Sequence, residues 1–201
     1  MGFVGRGGEK LDWALSRFGV NPAGKVCCDL GSNLGGFVDC LLQRGAEKVY
    51  SVDTSYGFLA WTLRNDPRVV VMERTNALYV ELPEAVDIVT SDVGWTKQEK
   101  VLPHALSLIK PAGLIVSLLK PQYEADRRDI VKGGRVKDAA LPGILAHVTA
   151  VAQENGTLLH PPVLSPFQGG KGKNPEYYFV LGKKPPALGR PSMAMASREH
   201  Y

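Results

Sequence analysis

Charged side chains stand where apolar segments of the sequence end, and their types suit acid–base chemistry. Asp29, Asp53 and Asp92 each end a short apolar run, and Lys120 ends the most apolar run in the chain. If these runs are parallel strands, their carboxyl ends meet at one edge of a sheet, where ligands bind in open α/β folds. A lysine at the end of a buried strand is costly unless it is paired. We therefore expect a site at this edge, built around Lys120.

Two further charged residues bear on this site. Glu176 opens the last predicted strand and would reach the same edge if that strand runs antiparallel to the others. A lysine held among carboxylates can orient a substrate hydroxyl and assist its deprotonation. The alternative is a buried ion-pair cluster that only stiffens the sheet. Lys10 precedes the first strand, next to the apolar face of a predicted helix, and its spacing alone favours an ordinary surface lysine.

The segment VCCDLGSNLGGF, residues 26–37, is an apolar run followed by a glycine-rich loop and a helical pattern. This order predicts strand, tight turn and helix, with the backbone close to a ligand. The loop matches neither G-x-G-x-x-G nor G-x-x-x-x-G-K-[ST], which disfavours a dinucleotide or a triphosphate. Asp53 follows about 20 residues later, where an acid commonly binds ribose hydroxyls. The alternative for Asp53 is a cap on a predicted helix at 58–64.

Strand and helix patterns alternate along most of the chain, which predicts a parallel sheet with helices on both faces. The predicted strands after the first are 49–53, 69–73, 86–92, 114–120, 158–164 and 177–181, and the longer helices are 37–44, 98–109 and 141–155. A turn is predicted at 110–113. The charged segment 121–138 is predicted to be a mobile loop that meets a large anionic substrate, or else an ordinary solvated loop. Residues 183–201 lack periodicity and predict a disordered tail.

The length and composition of the chain limit the class of protein, its partners and its compartment. The chain has 201 residues, 44% hydrophobic and 22% charged, which suits one globular domain. A net charge of +4 permits an anionic partner without requiring one. Cys27, Cys28 and Cys40 are an odd number, which predicts reduced thiols. No apolar run approaches the ~20 residues of a membrane span, and the N-terminus lacks a signal-peptide pattern, so we expect a cytoplasmic protein.

Several segments, in fixed order, resemble one family. They are RGGEKL at 6–11, DLGSNLGGFVDCLLQRGAEKVYSVD at 29–53, YGFLAWTLRNDPRVVVMERTN at 56–76, LLKPQYEA at 118–125, KGGRVKD at 132–138 and SPFQGGKGKNPEYYF at 165–179. The sequence resembles the FtsJ-like (RrmJ-like) methyltransferases, and among them the TlyA-type hemolysin/rRNA 2′-O-methyltransferases. The resemblance implies a methyltransferase domain at 1–182, with the Rossmann-like fold of S-adenosylmethionine-dependent enzymes: a seven-stranded, mostly parallel sheet whose last strand is antiparallel.

The resemblance also implies an activity, the 2′-O-methylation of RNA ribose, with rRNA or a ribosomal subunit as the partner. The implied catalytic residues are Lys10, Asp92, Lys120 and Glu176, which makes Lys10 more than a surface lysine. S-adenosylmethionine is the implied cofactor, and no metal is implied. The implied cofactor-binding residues are Asp29, Gly31, Ser32, Gly35, Gly36, Phe37, Asp53, Asn76 and Asp92.

The sequence departs from the TlyA-type pattern in two places. Those proteins carry an N-terminal S4-type RNA-binding domain, which we expect to be absent because the chain begins almost at RGGEKL. RNA contacts are then expected from Arg6, the 121–138 segment, Lys171–Lys173 or a partner protein. Where the family often has D-V-S-F, this chain has DVGW at 92–95, so Trp95 is expected to stack on a nucleobase or to pack in the core.

Two other functions compete with RNA methylation. A non-catalytic RNA- or nucleoside-binding module could keep the fold, although the complete set of charged residues argues against it. The hemolysin label of the family suggests a membrane-active protein, which no transmembrane or strongly amphipathic basic segment supports.

Overall fold

The structure is a computed structural model that describes residues 2–169 and 173–185. Within these ranges seven strands form one sheet in the order β3-β2-β1-β4-β5-β7-β6. The strands are β1 (Val26–Leu30), β2 (Lys48–Val52), β3 (Val69–Met72), β4 (Val86–Ser91), β5 (Ile109–Leu119), β6 (Thr157–Gln168) and β7 (Pro175–Gly182). Strands β1 to β5 pair in parallel, and β7 runs antiparallel to both β5 and β6. The expected mostly parallel sheet with an antiparallel last strand is confirmed.

Helices cover both faces of the sheet. They are α1 (Arg6–Phe18), α2 (Gly36–Gln43), α3 (Trp61–Arg64), α4 (Gln98–Leu108), α5 (Pro121–Glu124) and α6 (Leu141–Asn155). Leu11 and Leu15 of α1 and Leu41 of α2 belong to the apolar core on one face. Leu102 of α4 and Val148 of α6 belong to the core on the other face. Burial of these apolar stripes against the sheet is the main force that holds the helices in place.

Two local predictions differ from the structure. The helix predicted at 58–64 is only the four residues of α3. Leu63 is the one side chain of α3 that is buried, so little apolar packing supports a longer helix. The turn predicted at 110–113 lies inside β5, where Val86 faces Ile109 and Ile88 faces Leu114, so the intervening residues form a bulge in a continuous strand. Among the described residues, no helix has the length and apolarity that a membrane crossing requires.

The segment 121–138 contains more structure than the open loop predicted from its charges. It begins with α5, continues through a 3₁₀ turn at Arg127–Asp129, and forms an antiparallel bridge between Ile130 and Val136 before a second 3₁₀ turn at Asp138–Ala140. Two other predictions fall outside the described residues: Lys171 in the glycine-rich connection, and residues 186–201 of the predicted tail.

Strand alternation explains which side of the sheet carries the candidate site. Side chains along a strand point alternately to opposite faces. Val180 and Tyr178 on β7, like Val116 and Leu118 on β5, belong to the core beneath α1 and α2. Continuing the alternation by two residues directs Glu176 and Lys120 to the same face. The residue after β4, Asp92, follows Ile88 of that core by the same rule.

Candidate active site

Two ion pairs form the centre of the site. The Lys120 ammonium pairs with the Asp92 carboxylate, and Lys10 Nζ lies 2.5 Å from Glu176 Oε2. Lys120 and Asp92 follow β5 and β4, whereas Lys10 lies on α1 and Glu176 on β7. The structure therefore brings together the four residues that the resemblance implied, from four separate elements.

The antiparallel register places Glu176 beside Lys120. Leu119 of β5 pairs with Tyr177 of β7, and one further step along the same register sets Lys120 opposite Glu176. Glu176 is 1% exposed. A carboxylate this deeply buried requires a nearby cation, and Lys10 supplies it from above the sheet.

Lys120 keeps its charge although it is mostly buried. Burial by itself lowers the pKa of this lysine, but its attraction to the Asp92 carboxylate and the hydrogen bond that it donates to that group, with smaller contributions from Tyr123 and Glu176, raise the pKa above its ordinary value. The side chain is therefore an ammonium group at neutral pH. In that form it donates hydrogen bonds and stabilises negative charge on an oxygen placed next to it.

One cleft runs from the glycine loop to Lys120. It has a volume of about 470 Å³ and is lined by Gly31, Asn33, Val52, Asp53, Thr54, Thr75, Asn76, Ala77, Leu78, Asp92, Val93, Gly94, Trp95, Thr96, Lys120 and Tyr123. We call it the nucleoside cleft, after the ligand that the sequence leads us to expect. Four of the expected cofactor residues, Gly31, Asp53, Asn76 and Asp92, lie on its wall. A Cβ on Gly31, whose φ is 90°, would lie 2.5 Å from the carbonyl oxygen of Asp92, so only glycine fits there.

Asp53 organises the loop at the far end of the nucleoside cleft. Its Oδ2 accepts the backbone N–H of Asn33 at 2.8 Å, and its Oδ1 accepts both the N–H and the hydroxyl of Ser55 at 2.7 and 2.6 Å. The alternative role as a cap on the following helix is wrong, because α3 begins after Ala60 and has no side-chain cap. Asp53 is thus held at the cleft wall by groups that fix its orientation.

A second cleft of about 570 Å³ adjoins the first. Its lining residues are Trp95, Lys120, Gln122, Tyr123, Ile130, Gly133, Gly134, Gly169 and Glu176. We call it the substrate cleft, after the RNA that the resemblance leads us to expect. The two clefts share Trp95, Lys120 and Tyr123, so the Lys120 ammonium stands at the junction between them. A group bound in either cleft would therefore come within reach of the same lysine.

An aromatic pair flanks this junction. Trp95 is 88% exposed and has φ 58°, an uncommon conformation for a non-glycine residue. Its ring lies 5.0 Å from that of Tyr123, whose face is 5.7 Å from Lys120 Nζ. The exposure contradicts the alternative that Trp95 packs in the core. Tyr123 was missed from the sequence, although its position three residues after the strand-end lysine was a usable signal.

Asp29 and Ser32, two of the expected cofactor residues, lie behind the nucleoside cleft. Asp29 is fully buried, and its Oδ1 accepts the Thr90 hydroxyl at 2.7 Å. Burial raises the pKa of Asp29 to about 7, which the Thr90 hydrogen bond only partly offsets. Ser32 Oγ donates to the Asp29 carbonyl at 3.0 Å and so closes the turn. Both residues shape the glycine loop from beneath.

Gly35, Gly36 and Phe37 also contribute to packing rather than to the cleft wall. Gly35 precedes α2 with φ 98°, and a Cβ there would lie 2.3 Å from Leu63. A Cβ on Gly36 would lie 2.9 Å from the backbone nitrogen of Gly8, so this glycine allows α1 and α2 to touch. Phe37 is buried in the core beneath the helices.

The structure also places Arg6, one of the expected RNA contacts, and the three cysteines. Arg6 is exposed at the start of α1, where it lines a surface pocket with Lys10 and Lys173. Cys27, Cys28 and Cys40 are buried free thiols. In the part of the chain that the structure describes, no cluster of His, Cys, Asp and Glu is arranged to hold a metal ion.

The sheet order with one antiparallel strand, the glycine loop and the clefts at the strand ends define a Rossmann-like methyltransferase fold. The N-methyltransferase NodS from Bradyrhizobium japonicum, solved with S-adenosyl-L-homocysteine, shares this fold at 14% identity and a TM-score of 0.60, over 88% of this chain and 84% of that one. The chain belongs to the FtsJ-like methyltransferase family, which matches residues 3–182.

Relatives within the family are more similar. TlyA of Mycobacterium tuberculosis, named a 16S/23S rRNA (cytidine-2′-O)-methyltransferase, is 43% identical over 89% of this chain and 68% of its own. YqxC of Bacillus subtilis is 39% identical over 89% of this chain and 65% of its own. A Streptococcus thermophilus structure described as a hemolysin has a TM-score of 0.86 and 35% identity, over 92% of this chain and 68% of that one. The chain thus spans about two thirds of the length of these relatives.

Proposed function

We propose that the protein is an S-adenosylmethionine-dependent RNA methyltransferase that modifies a ribose 2′-hydroxyl, with ribosomal RNA as its substrate. The observation that carries the proposal is the Lys120 ammonium, paired with Asp92 where the nucleoside cleft meets the substrate cleft. A transferase needs its two substrates to meet at one reacting centre, and this junction provides such a place. The name of the TlyA relative, a 16S/23S rRNA (cytidine-2′-O)-methyltransferase, supports the ribose of cytidine in rRNA as the target.

The nucleoside cleft fits S-adenosylmethionine by the chemistry of its wall. The Asp53 carboxylate is fixed at one end and suits ribose hydroxyls, Asn76 suits a base edge, and the Asp92 carboxylate faces the other end. The absence of a side chain at Gly31 leaves the backbone open to close approach. When bound, this cofactor supplies a methyl group on a sulfonium, which is already a good leaving group.

The catalytic roles follow from charge and position. Lys120 would donate a hydrogen bond to the ribose 2′-oxygen and hold it for in-line attack, while its charge stabilises the oxygen as the proton departs. Asp92 would keep Lys120 in place and, as the carboxylate at the junction, would itself accept the proton that leaves the 2′-hydroxyl. Glu176 and Lys10 would fix the other side of the ammonium. Positioning is expected to supply most of the acceleration, with proton transfer adding ~10²–10⁴-fold.

The substrate cleft suits a nucleotide turned out of an RNA strand. Exposed Trp95 offers a flat face for a base, and stacking of this kind contributes ~1–3 kcal/mol per base. Arg127 and Arg128 are exposed near this cleft, and Lys132 lies on the adjacent hairpin, so the surroundings can meet a phosphate backbone. An rRNA substrate is consistent with the cytoplasmic location expected from the sequence.

The test is methyl transfer from radiolabelled S-adenosylmethionine to unmodified 16S and 23S rRNA, free and in assembled subunits. The expected product is a 2′-O-methylribose, recognised because it protects the adjacent phosphodiester bond from alkaline cleavage. Label on a base, or cofactor binding with no incorporation into any RNA form, would contradict the proposal and favour the non-catalytic binding module.

A further inference from the structure

We propose that Asn174 is a positioning residue: its side chain latches the hairpin of residues 130–136 as one wall of the substrate cleft, and thereby sets how tightly RNA is held beside Lys120. The inference rests on the proposed RNA methyltransferase function and deepens it, because it names what holds the RNA side of the site in shape. Asn174 itself is not among the residues that line either cleft.

The hairpin is a defined unit. Ile130 and Val136 form an antiparallel bridge, Val131 N–H donates to the Arg135 carbonyl at 2.8 Å, and Gly134 N–H donates to the Val131 carbonyl at 3.0 Å. Gly133 and Gly134 have φ of 95° and 83°, a conformation that glycine adopts without strain. The tight turn therefore depends on the two consecutive glycines.

The Asn174 amide holds this hairpin at two points, its turn and its second arm. Its Nδ2 donates to the Gly134 carbonyl at 2.8 Å, and its Oδ1 accepts the Val136 N–H at 2.9 Å. A carbonyl can only accept and a backbone N–H can only donate, so the amide has one satisfactory orientation. Asn174 is 1% exposed and Val136 is also buried, so water does not readily replace these bonds.

The latch joins the hairpin to the segment that carries Glu176. Gly133 and Gly134 line the substrate cleft together with Glu176, which follows Asn174 by two residues. The same short segment therefore carries the latch and the partner of Lys10. On its outer side the hairpin exposes Lys132 and Arg135, which suit contact with an RNA backbone. Contact of RNA with the hairpin would thus bear directly on the wall beside the reacting ribose.

Asn174 could instead serve only to close the connection between β6 and β7. The backbone already does this, because Gly169 N–H donates to the Asn174 carbonyl at 3.0 Å. Both side-chain hydrogen bonds go to the hairpin. A change confined to the side chain therefore separates the latch from closure of the connection.

The experiment uses Asn174→Asp, which keeps the size and the acceptor but cannot donate to the Gly134 carbonyl. The matched control is Asn155→Asp, which loses a single donated bond of 2.8 Å to Val151 at the end of α6. We expect Asn174→Asp to raise amide hydrogen exchange at 131–136 roughly 10-fold with the strands unchanged. The KM for unmodified 16S and 23S rRNA transcripts should rise about 5-fold or more, with kcat within about 2-fold and unchanged S-adenosylmethionine affinity.

Unchanged exchange at 131–136 overturns the proposal, as does a freed hairpin with an unchanged KM for rRNA. Faster exchange throughout the sheet also overturns it, because Asn174 would then be a general stabilising residue. The hairpin exchange does not depend on catalysis. A wild-type protein that methylates no rRNA therefore contradicts the proposed function, while the exchange measurement still decides whether the latch exists.

Discussion

Lys120 and Glu176 face each other across the antiparallel pair of β5 and β7, and each is held by a partner from elsewhere in the fold. Asp92 pairs with Lys120, and Lys10 pairs with Glu176. Opposite charges on facing strand positions commonly form an ion pair with each other. Here each has its own counterion, so the Lys120 ammonium retains a face toward the cleft junction. The antiparallel direction of β7 makes this arrangement possible, since it brings the start of that strand to the carboxyl ends of the others.

Replacing Lys120 tests the centre of the proposed mechanism. Lys120→Ala removes the ammonium that holds the ribose oxygen, and we expect methyl transfer to fall by about 10²-fold or more. Lys120 lines the nucleoside cleft only where that cleft meets the substrate cleft, and the ribose and base ends of the cleft are formed by Asp53 and Asn76, so calorimetric binding of S-adenosylmethionine should remain.

Lys110→Ala is the matched control for this experiment. Lys110 lies on β5, the strand that Lys120 follows, and pairs with Asp87 at 2.9 Å near the opposite end of that strand. The Lys110→Ala variant should retain wild-type turnover. Undiminished methyl transfer by Lys120→Ala would show that another group activates the hydroxyl.

Gly31→Ala tests the close approach of backbone at the glycine loop. The added methyl group would collide with the Asp92 carbonyl, and φ 90° would strain any side chain. We expect S-adenosylmethionine affinity to fall at least ~10-fold and the free energy of unfolding to fall by about 1–3 kcal/mol. Gly19, at the end of α1, also has a positive φ, but open space surrounds it. Gly19→Ala should therefore lower the free energy of unfolding and leave S-adenosylmethionine affinity unchanged. Equal cofactor affinity in both variants would contradict the proposed cleft.

Asp53→Asn tests the ribose end of the nucleoside cleft. The amide cannot accept hydrogen bonds at both positions, so the Asn33 and Ser55 contacts are partly lost together with the charge. We expect roughly 10-fold weaker S-adenosylmethionine binding by calorimetry, with little change in affinity for rRNA. Asp66→Asn, which only breaks a surface pair with Arg68, should bind the cofactor normally. If the two variants bind alike, Asp53 has no part in cofactor binding.

Trp95→Ala tests the proposed base platform. The side chain is exposed, so its removal should leave the free energy of unfolding within about 0.5 kcal/mol. The KM for rRNA should rise about 5–100-fold, which corresponds to the loss of one stacked base. Trp95→Phe keeps an aromatic face and should recover most of the affinity. A large loss of stability, or an unchanged KM, would show that the ring packs on Tyr123 for structural reasons only.

The sequence was most informative where strands end. Asp92 and Lys120 could be placed together because a parallel sheet brings the ends of successive strands to one edge. The position of Lys10 could not be derived this way, since helical spacing sets only the face of α1 and says nothing about which strand lies beneath it. Resemblance to the family supplied that residue, and the ion pair with Glu176 gives its physical reason.

The bulge in β5 and the packing of Phe37 show where local reasoning fails. Lys110 to Gly113 have turn chemistry, yet pairing on both sides of the bulge keeps them within one strand. Phe37 follows a glycine loop that suits ligand contact, but its side chain points into the core. In both cases tertiary contacts decide, and these involve residues distant in sequence. The hydrogen bonds of Asn174 could not be predicted from the sequence for the same reason, because its partners lie 38 and 40 positions away.

Asp29 should make stability depend on pH. Its pKa is raised from 3.8 to about 7 by burial, whereas in the unfolded chain it titrates near the ordinary value. Between these two values the folded state holds a proton that the unfolded state has released, so the free energy of unfolding falls as pH rises from about 4 to 7. Asp29→Asn removes this titration, and its stability relative to wild type should improve by roughly 3 kcal/mol between pH 5 and pH 8.

Urea unfolding at several pH values measures this difference. Asp66→Asn provides a control of opposite sign, because the hydrogen bonds from Arg68 lower the pKa of Asp66, so its carboxylate adds stability that is lost only as pH falls. Its stability relative to wild type should not improve as pH rises from 5 to 8. If Asp29→Asn followed the wild-type pH profile, the buried carboxyl would have to be ionised throughout this range, and a cation or water would have to reach its second oxygen beneath the glycine loop.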